Sequence, residues 1–331
     1  MFWVEQYRII YMKHIEGDIL TVFKAIQSVF SILIMISIGY FLTYKGWFND
    51  DSSKLLSKIV TYVSLPPLMI YNLTESFDRH SLLSSFNGLA VPFLSIGICY
   101  VISKFVSKLI KVKKERRGLF ETMFFASNTI FIGLPVNIAI FGSKSLPYAL
   151  LYYMANTFLF WTIGIYDIRK YSEGTKEKLF SLNSIKKVFS PPFIGFILGT
   201  SIVLLGINLP DFVMDTCKYL GNLTTPLSMI FIGITMYSVK LKDIKPSIDM
   251  AAILIGRFLI APLTIVALTP IFPMPELMKN VFITQSAMPA ITQAAIISKA
   301  YGSDYKYTSV IVTVTTILSL VFIPVYVLLM K

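Results

Sequence analysis

The sequence predicts an all-α integral membrane protein: ten transmembrane helices in two inverted five-helix repeats, with the fourth and ninth helices broken at corresponding places. Three observations predict it. The 331-residue chain is 55% hydrophobic and only 15% charged, with a mean hydropathy of +0.69. A soluble domain carries about 25% charged residues. Ten apolar runs approach or exceed the roughly 20 residues that cross a bilayer. The chain also repeats itself at a constant offset of 160 residues.

The elements follow in order. Residues 1–20 mix charges and aromatics, among them Trp3, Tyr7, Arg8, Tyr11, Glu16 and Asp18. They read as an extracytoplasmic interfacial segment, neither a span nor a cleavable signal. The first repeat, 21–168, holds spans at 21–44, 52–74, 82–110, 118–142 and 146–168. A cytoplasmic loop at 169–189 follows. The second repeat, 190–330, holds spans at 190–208, 212–238, 247–269, 276–300 and 305–330. Cys99 and Cys217 fall in or beside apolar runs and read as small core residues, with no CxxC or metal spacing.

Loop charge sets the orientation. The loops after spans 1, 3, 5, 7 and 9 hold 21 of the 30 Lys and Arg residues, with KLIKVKKERR at 108–117 the densest cluster. The opposite loops and both ends hold 8, and Arg257 lies inside span 8. The positive-inside rule therefore expects a multi-pass protein of the cell membrane with both termini extracytoplasmic. In this setting the net charge of +12 meets lipid headgroups and gives no reason to expect nucleic acid as a partner.

The repeat rests on matched residues. SLPPLMIYNL (64–73) lies over TTPLSMIFIG (224–233), pairing Pro66 with Pro226 and Met69 with Met229. Gly39 and Gly46 lie over Gly199 and Gly206, and Gly142-Ser143 over Gly302-Ser303. Five spans per repeat is odd, so the second repeat enters the membrane from the opposite side. Secondary transporters are often built this way, with the substrate site where broken helices of the two halves meet. Span 9 contains TQSAMPAITQ (284–293), polar and carrying Pro289 inside an apolar run. At the offset, Ala287-Met288-Pro289 lies over Ser127-Asn128-Thr129 of span 4, in FFASNTIFIGLPVNIAIFG. Gly and Pro let both helices open.

ASNTIFIGLP followed by FG, and SAMPAITQAA followed by KAYGSD, resemble the two signature segments of the auxin efflux carrier family. The resemblance covers about 21–330. It implies an N-out, C-out fold in which helices 4 and 9 cross at their breaks, similar to the bile acid symporter and NhaA-like architecture. It also admits a homodimer. Relatives include plant PIN-type auxin transporters and bacterial permeases associated with organic acids such as malonate and malate. The chain departs from plant members at Ser127, where they carry a proline, and in its short central loop.

A carboxylate suits two half-helix N-termini facing a cavity. The expected substrate-binding set is Ser127, Asn128, Thr129, Gln285, Ser286, Met288, Pro289 and Gln293, with the Thr292 hydroxyl nearby and Tyr71 and Thr225 as walls from spans 2 and 7. The amides would equally serve to satisfy opened backbone. Arg257 has two readings, an anion contact or a partner for carbonyls in the scaffold. Both histidines, His14 and His80, fall in expected outer segments, and no HExxH or cofactor motif occurs. An enzyme is therefore not expected, nor a cofactor or metal. The expected function is secondary transport of a small organic anion. The alternatives are an ion-coupled symporter of the bile acid symporter type and a non-transporting receptor on the same fold.

Overall fold

The computed structural model describes residues 30–171, 191–238 and 246–330. Segment 1–20 and most of the 169–189 loop lie outside the described residues. The described residues are helical throughout, with no strand and one isolated antiparallel bridge, between Ser127 and Ala290.

Helices occupy the apolar runs. Their order is α1 (Phe30–Tyr44), α2 (Asp50–Lys58), α3 (Leu65–Ser76), α4 (Arg79–Phe86) and α5 (Ala90–Leu109). Next come α6 (Lys114–Phe125), α7 (Leu134–Phe141), α8 (Leu146–Leu159) and α9 (Ile165–Lys170). The rest are α10 (Pro191–Leu205), α11 (Asp211–Asn222), α12 (Thr224–Ser238), α13 (Ile248–Ile255), α14 (Ala261–Leu268), α15 (Glu276–Ser286), α16 (Gln293–Ala300) and α17 (Tyr305–Leu329). Short π-helical turns join α2 to α3 at Ile59–Ser64, α8 to α9 at Phe160–Gly164 and α13 to α14 at Gly256–Ile260. Another, Thr129–Gly133, opens α7. Continuous helices long and apolar enough to cross a membrane are Ala90–Leu109, Ile248–Leu268 and Tyr305–Leu329. Interruption is why others fall short: span 4 stops at Phe125 and resumes at Thr129, and span 9 stops at Ser286 and resumes at Gln293.

The surface is apolar. Val101, Phe105, Leu205, Val321 and Leu329 are each more than 60% exposed, as expected of side chains that face lipid. The polar groups turn inward. Lys104 Nζ lies 2.6 Å from Glu121 Oε2 and 2.8 Å from Asp167 Oδ2, tying α5, α6 and α9 together. Ser95 and Thr264 hydroxyls meet at 2.6 Å between α5 and α14.

Packing divides the helices into two groups. In one, α3 lies along α10 and α11, and α2 and α1 lie on α12. The α1–α12 contact has no room for side chains: a Cβ on Gly233 would stand 2.1 Å from Ile36 O, and one on Gly39 2.4 Å from Ile230 O. In the other group α5 packs on α6, α8 and α14, α14 on α15, and α16 on α17. The positive-φ glycines form two pairs, Gly46 with Gly206 and Gly142 with Gly302, each separated by the offset read from the sequence. Each ends a turn that only glycine enters cheaply.

Candidate functional site

The broken helices meet where they open. α6 runs to Phe125, and Ala126 turns extended at φ −89°, ψ 126°. Two backbone hydrogen bonds then join the opened segments. Asn128 N donates to Pro289 O at 2.8 Å, and Ile291 N donates to Ala126 O at 3.1 Å. Proline has no N–H to offer, but its carbonyl is free to accept. Opened backbone in a membrane needs partners within the protein, and each break supplies them to the other.

Side chains satisfy the rest. Asn156 of α8 pairs with Ser127 twice: its Oδ1 accepts from Ser127 N and its Nδ2 donates to Ser127 O, both at 2.9 Å. Thr315 of α17 accepts from Ala290 N at 3.2 Å. Asn128 caps the resumed helix, its Oδ1 accepting from Phe131 N at 3.2 Å, while its Nδ2 donates to Thr292 Oγ1 at 2.7 Å. Arg257 is 0% exposed. Its Nε donates to Met288 O at 3.1 Å, Nη1 to Phe125 O at 2.9 Å and Phe124 O at 3.3 Å, and Nη2 to Met288 O at 2.9 Å and to Ser286 O. Of the two sequence readings for Arg257, the geometry is that of the carbonyl partner.

A cavity of about 520 Å³ ends on these paired segments, between the two helix groups. Its polar wall is Ser127, Asn128, Thr129, Asn156, Thr292 and Gln293. Its aromatic wall includes Tyr62, Tyr153, Trp161 and Phe231. Among the described residues, no Asp, Glu, Lys or Arg lines it. Both resumed helices, Thr129–Phe141 and α16, begin at this wall. Their positive ends therefore face the cavity.

The expected residues separate by position. Ser127, Asn128, Thr129 and Gln293 line the large cavity. Gln285 is fully buried behind the bridge, with Nε2 3.3 Å from Thr129 O and 3.4 Å from Ala149 O. It fits there because Gly133 has no Cβ; one would stand 2.1 Å from Gln285 Oε1. Ser286, Met288 and Pro289 meet their neighbours through backbone carbonyls. Tyr71 lies on a second cavity of about 390 Å³, with Glu75, Lys144 and Tyr148. Thr225 lines neither cavity. Sequence reading passed over Asn156, although a lone amide in the apolar run LLYYMANTFLF (150–160) marks a residue that needs a buried partner.

Two opened helices, paired through their backbones beside a large cavity, are an arrangement that suits a membrane transporter. The chain belongs to the membrane transport protein family, whose sequence model matches residues 24–327; this is the auxin efflux carrier family that the two signature segments resemble. It is similar to an uncharacterized transporter of Methanocaldococcus jannaschii, 28% identical over 300 residues that cover 88% of this chain and 94% of that one. It is also similar to an uncharacterized transporter of Methanothermobacter thermautotrophicus, 26% identical over 309 residues, 91% of this chain and 96% of the relative.

Proposed function

We propose that the chain is a secondary transporter that moves a small organic anion, a mono- or dicarboxylate, by alternating access at the crossing of helices 4 and 9. The observation that carries this reading is the large cavity, where two helix N-termini converge and neutral donors line the wall. Such a wall attracts a carboxylate through partial charges and N–H groups. Among the described residues it holds no fixed cation that would retain the anion against release.

The ten-span inverted repeat and the crossed helices belong to the same proposal. The paired left-handed glycines at the repeat offset and the backbone bridge support it. With both termini extracytoplasmic, the large cavity opens to the cytoplasm, because Ser57, Trp161 and Pro191 stand beside the Lys- and Arg-rich loops. The cavity at Tyr71 and Lys144 is then the outer vestibule. Lipid is the surrounding partner and a homodimer is the proposed assembly.

The test is flux. Purified protein in sealed vesicles, loaded with each of a panel of labelled mono- and dicarboxylates, should release at least one of them faster than protein-free vesicles. Release should saturate with concentration. Unchanged release across the panel, with the protein folded and inserted, would reject the organic anion. Binding without release would favour a receptor.

A further inference from the structure

The cationic group at the crossing is part of the chain. Arg257 has five N–H donors, and all five point at backbone carbonyls, those of Phe124, Phe125, Ser286 and Met288. Among the described residues Arg257 makes no ion pair. A guanidinium buried in this way, without a carboxylate, needs another source of negative charge. The carbonyls identify it. They belong to the last residues of α6 and α15 and the turn beyond α15. Those are the C-terminal ends of two helices that stop inside the protein. Each helix end carries roughly half a negative charge, so two ends balance one cation.

We propose that these four carbonyls form a monovalent-cation site that Arg257 occupies permanently. The guanidinium is the resident counter-ion of the crossing, and the crossing draws no dissolved cation to hold its two helix ends together. Two further observations fit. Arg257 springs from the π-helical turn Gly256–Ile260, and a Cβ on Gly256 would stand 2.5 Å from the Phe124 ring. The helix that delivers the cation is thus shaped to approach the end of α6. The Arg257 donors are also filled by carbonyls, which leaves none for a substrate in the cavity. Arg257 is a positioning residue: it acts on substrate only through the segments it joins.

The test needs no substrate, so its failure is distinct from failure of the transport reading. Full-length protein in detergent is melted in chloride salts of choline, sodium, potassium and, at sub-denaturing concentration, guanidinium. Hydrogen exchange is followed over residues 124–131 and 286–293. The parent should melt alike in choline, sodium and potassium. Arg257→Ala should melt lower, and its exchange should rise about ten- to a hundredfold in those two segments, the change expected for losing a hydrogen bond to a charge. Exchange elsewhere should change less. Guanidinium should restore protection in the variant more than choline does. Should Arg257→Ala fail to fold, Arg257→Lys and Arg257→Gln carry the test: Lys keeps the charge and should protect both segments better than Gln, which keeps donors without it. The proposal is overturned if the parent is stabilised by sodium or potassium over choline, if Arg257→Ala keeps full protection, or if Lys protects no better than Gln.

Discussion

Asn128 and Gln285 look alike in the sequence, two amides at the edges of two breaks, and the fold places them differently. The Asn128 amide faces the large cavity and still has one Nδ2 hydrogen beyond the bond to Thr292. Both Nε2 hydrogens of Gln285 face backbone carbonyls behind the bridge. In the proposed cycle, Asn128→Ala should weaken carboxylate binding about ten- to a hundredfold, for one lost bond to a charged group. Gln285→Ala should instead lower stability while affinity is kept. Binding and melting measured on both variants separate the roles; equal losses of affinity at unchanged melting would reject the division. Asn156→Leu leaves the N–H and C=O of Ser127 without their amide partner. The carbonyl keeps its bond from Thr129 N, so the cost should be about 1–3 kcal/mol for the one orphaned N–H, read as a lower melting temperature. Linear sequence could not divide these amides, because which side of an opened helix meets a cavity depends on the helix that crosses it. The lone Asn156 announced a need for a partner but not where the partner lies.

At the scale of elements, much was legible. The interruptions at 126–128 and 287–292 stand where polar residues, Gly and Pro enter apolar runs. The pairing of Ser127 with Ala290 was not legible, since backbone groups carry no residue-specific signal. The helix-on-helix contacts were legible only through glycine. Gly39 and Gly233 each meet backbone of the opposite helix, whereas Gly97 in α5 has nothing within 4 Å of an added Cβ. Gly233→Ala should therefore push α1 and α12 apart and destabilise by about 1–3 kcal/mol. Gly97→Ala should be neutral or gain up to about 1 kcal/mol from helix propensity. Melting temperatures of the two variants test the contrast. A fall as large for Gly97→Ala as for Gly233→Ala would show that close approach is not the cause.

For the whole molecule, membrane character lay in the composition and the helices in apolar runs long enough to cross a bilayer. Orientation rests on the loop charges. In a background with Cys99 and Cys217 replaced by Ser, a cysteine at exposed Ser143 should react with an impermeant thiol reagent in intact cells. One at Asp51, also exposed, should not. The reverse pattern would invert the proposed inside and outside. The cavity, which among the described residues carries no Asp, Glu, Lys or Arg, has a consequence in electrical terms. In a uniport cycle the empty carrier returns with no compensating charge at its binding wall, so each turn moves the valence of the cargo across the membrane. For a monoanion and an interior-negative potential of about 100 mV, that movement is worth about 2.3 kcal/mol and favours the outward direction. Voltage then serves as a pump for an otherwise passive carrier, and a potassium-diffusion potential imposed on the vesicles should reverse the net flux when its sign is reversed.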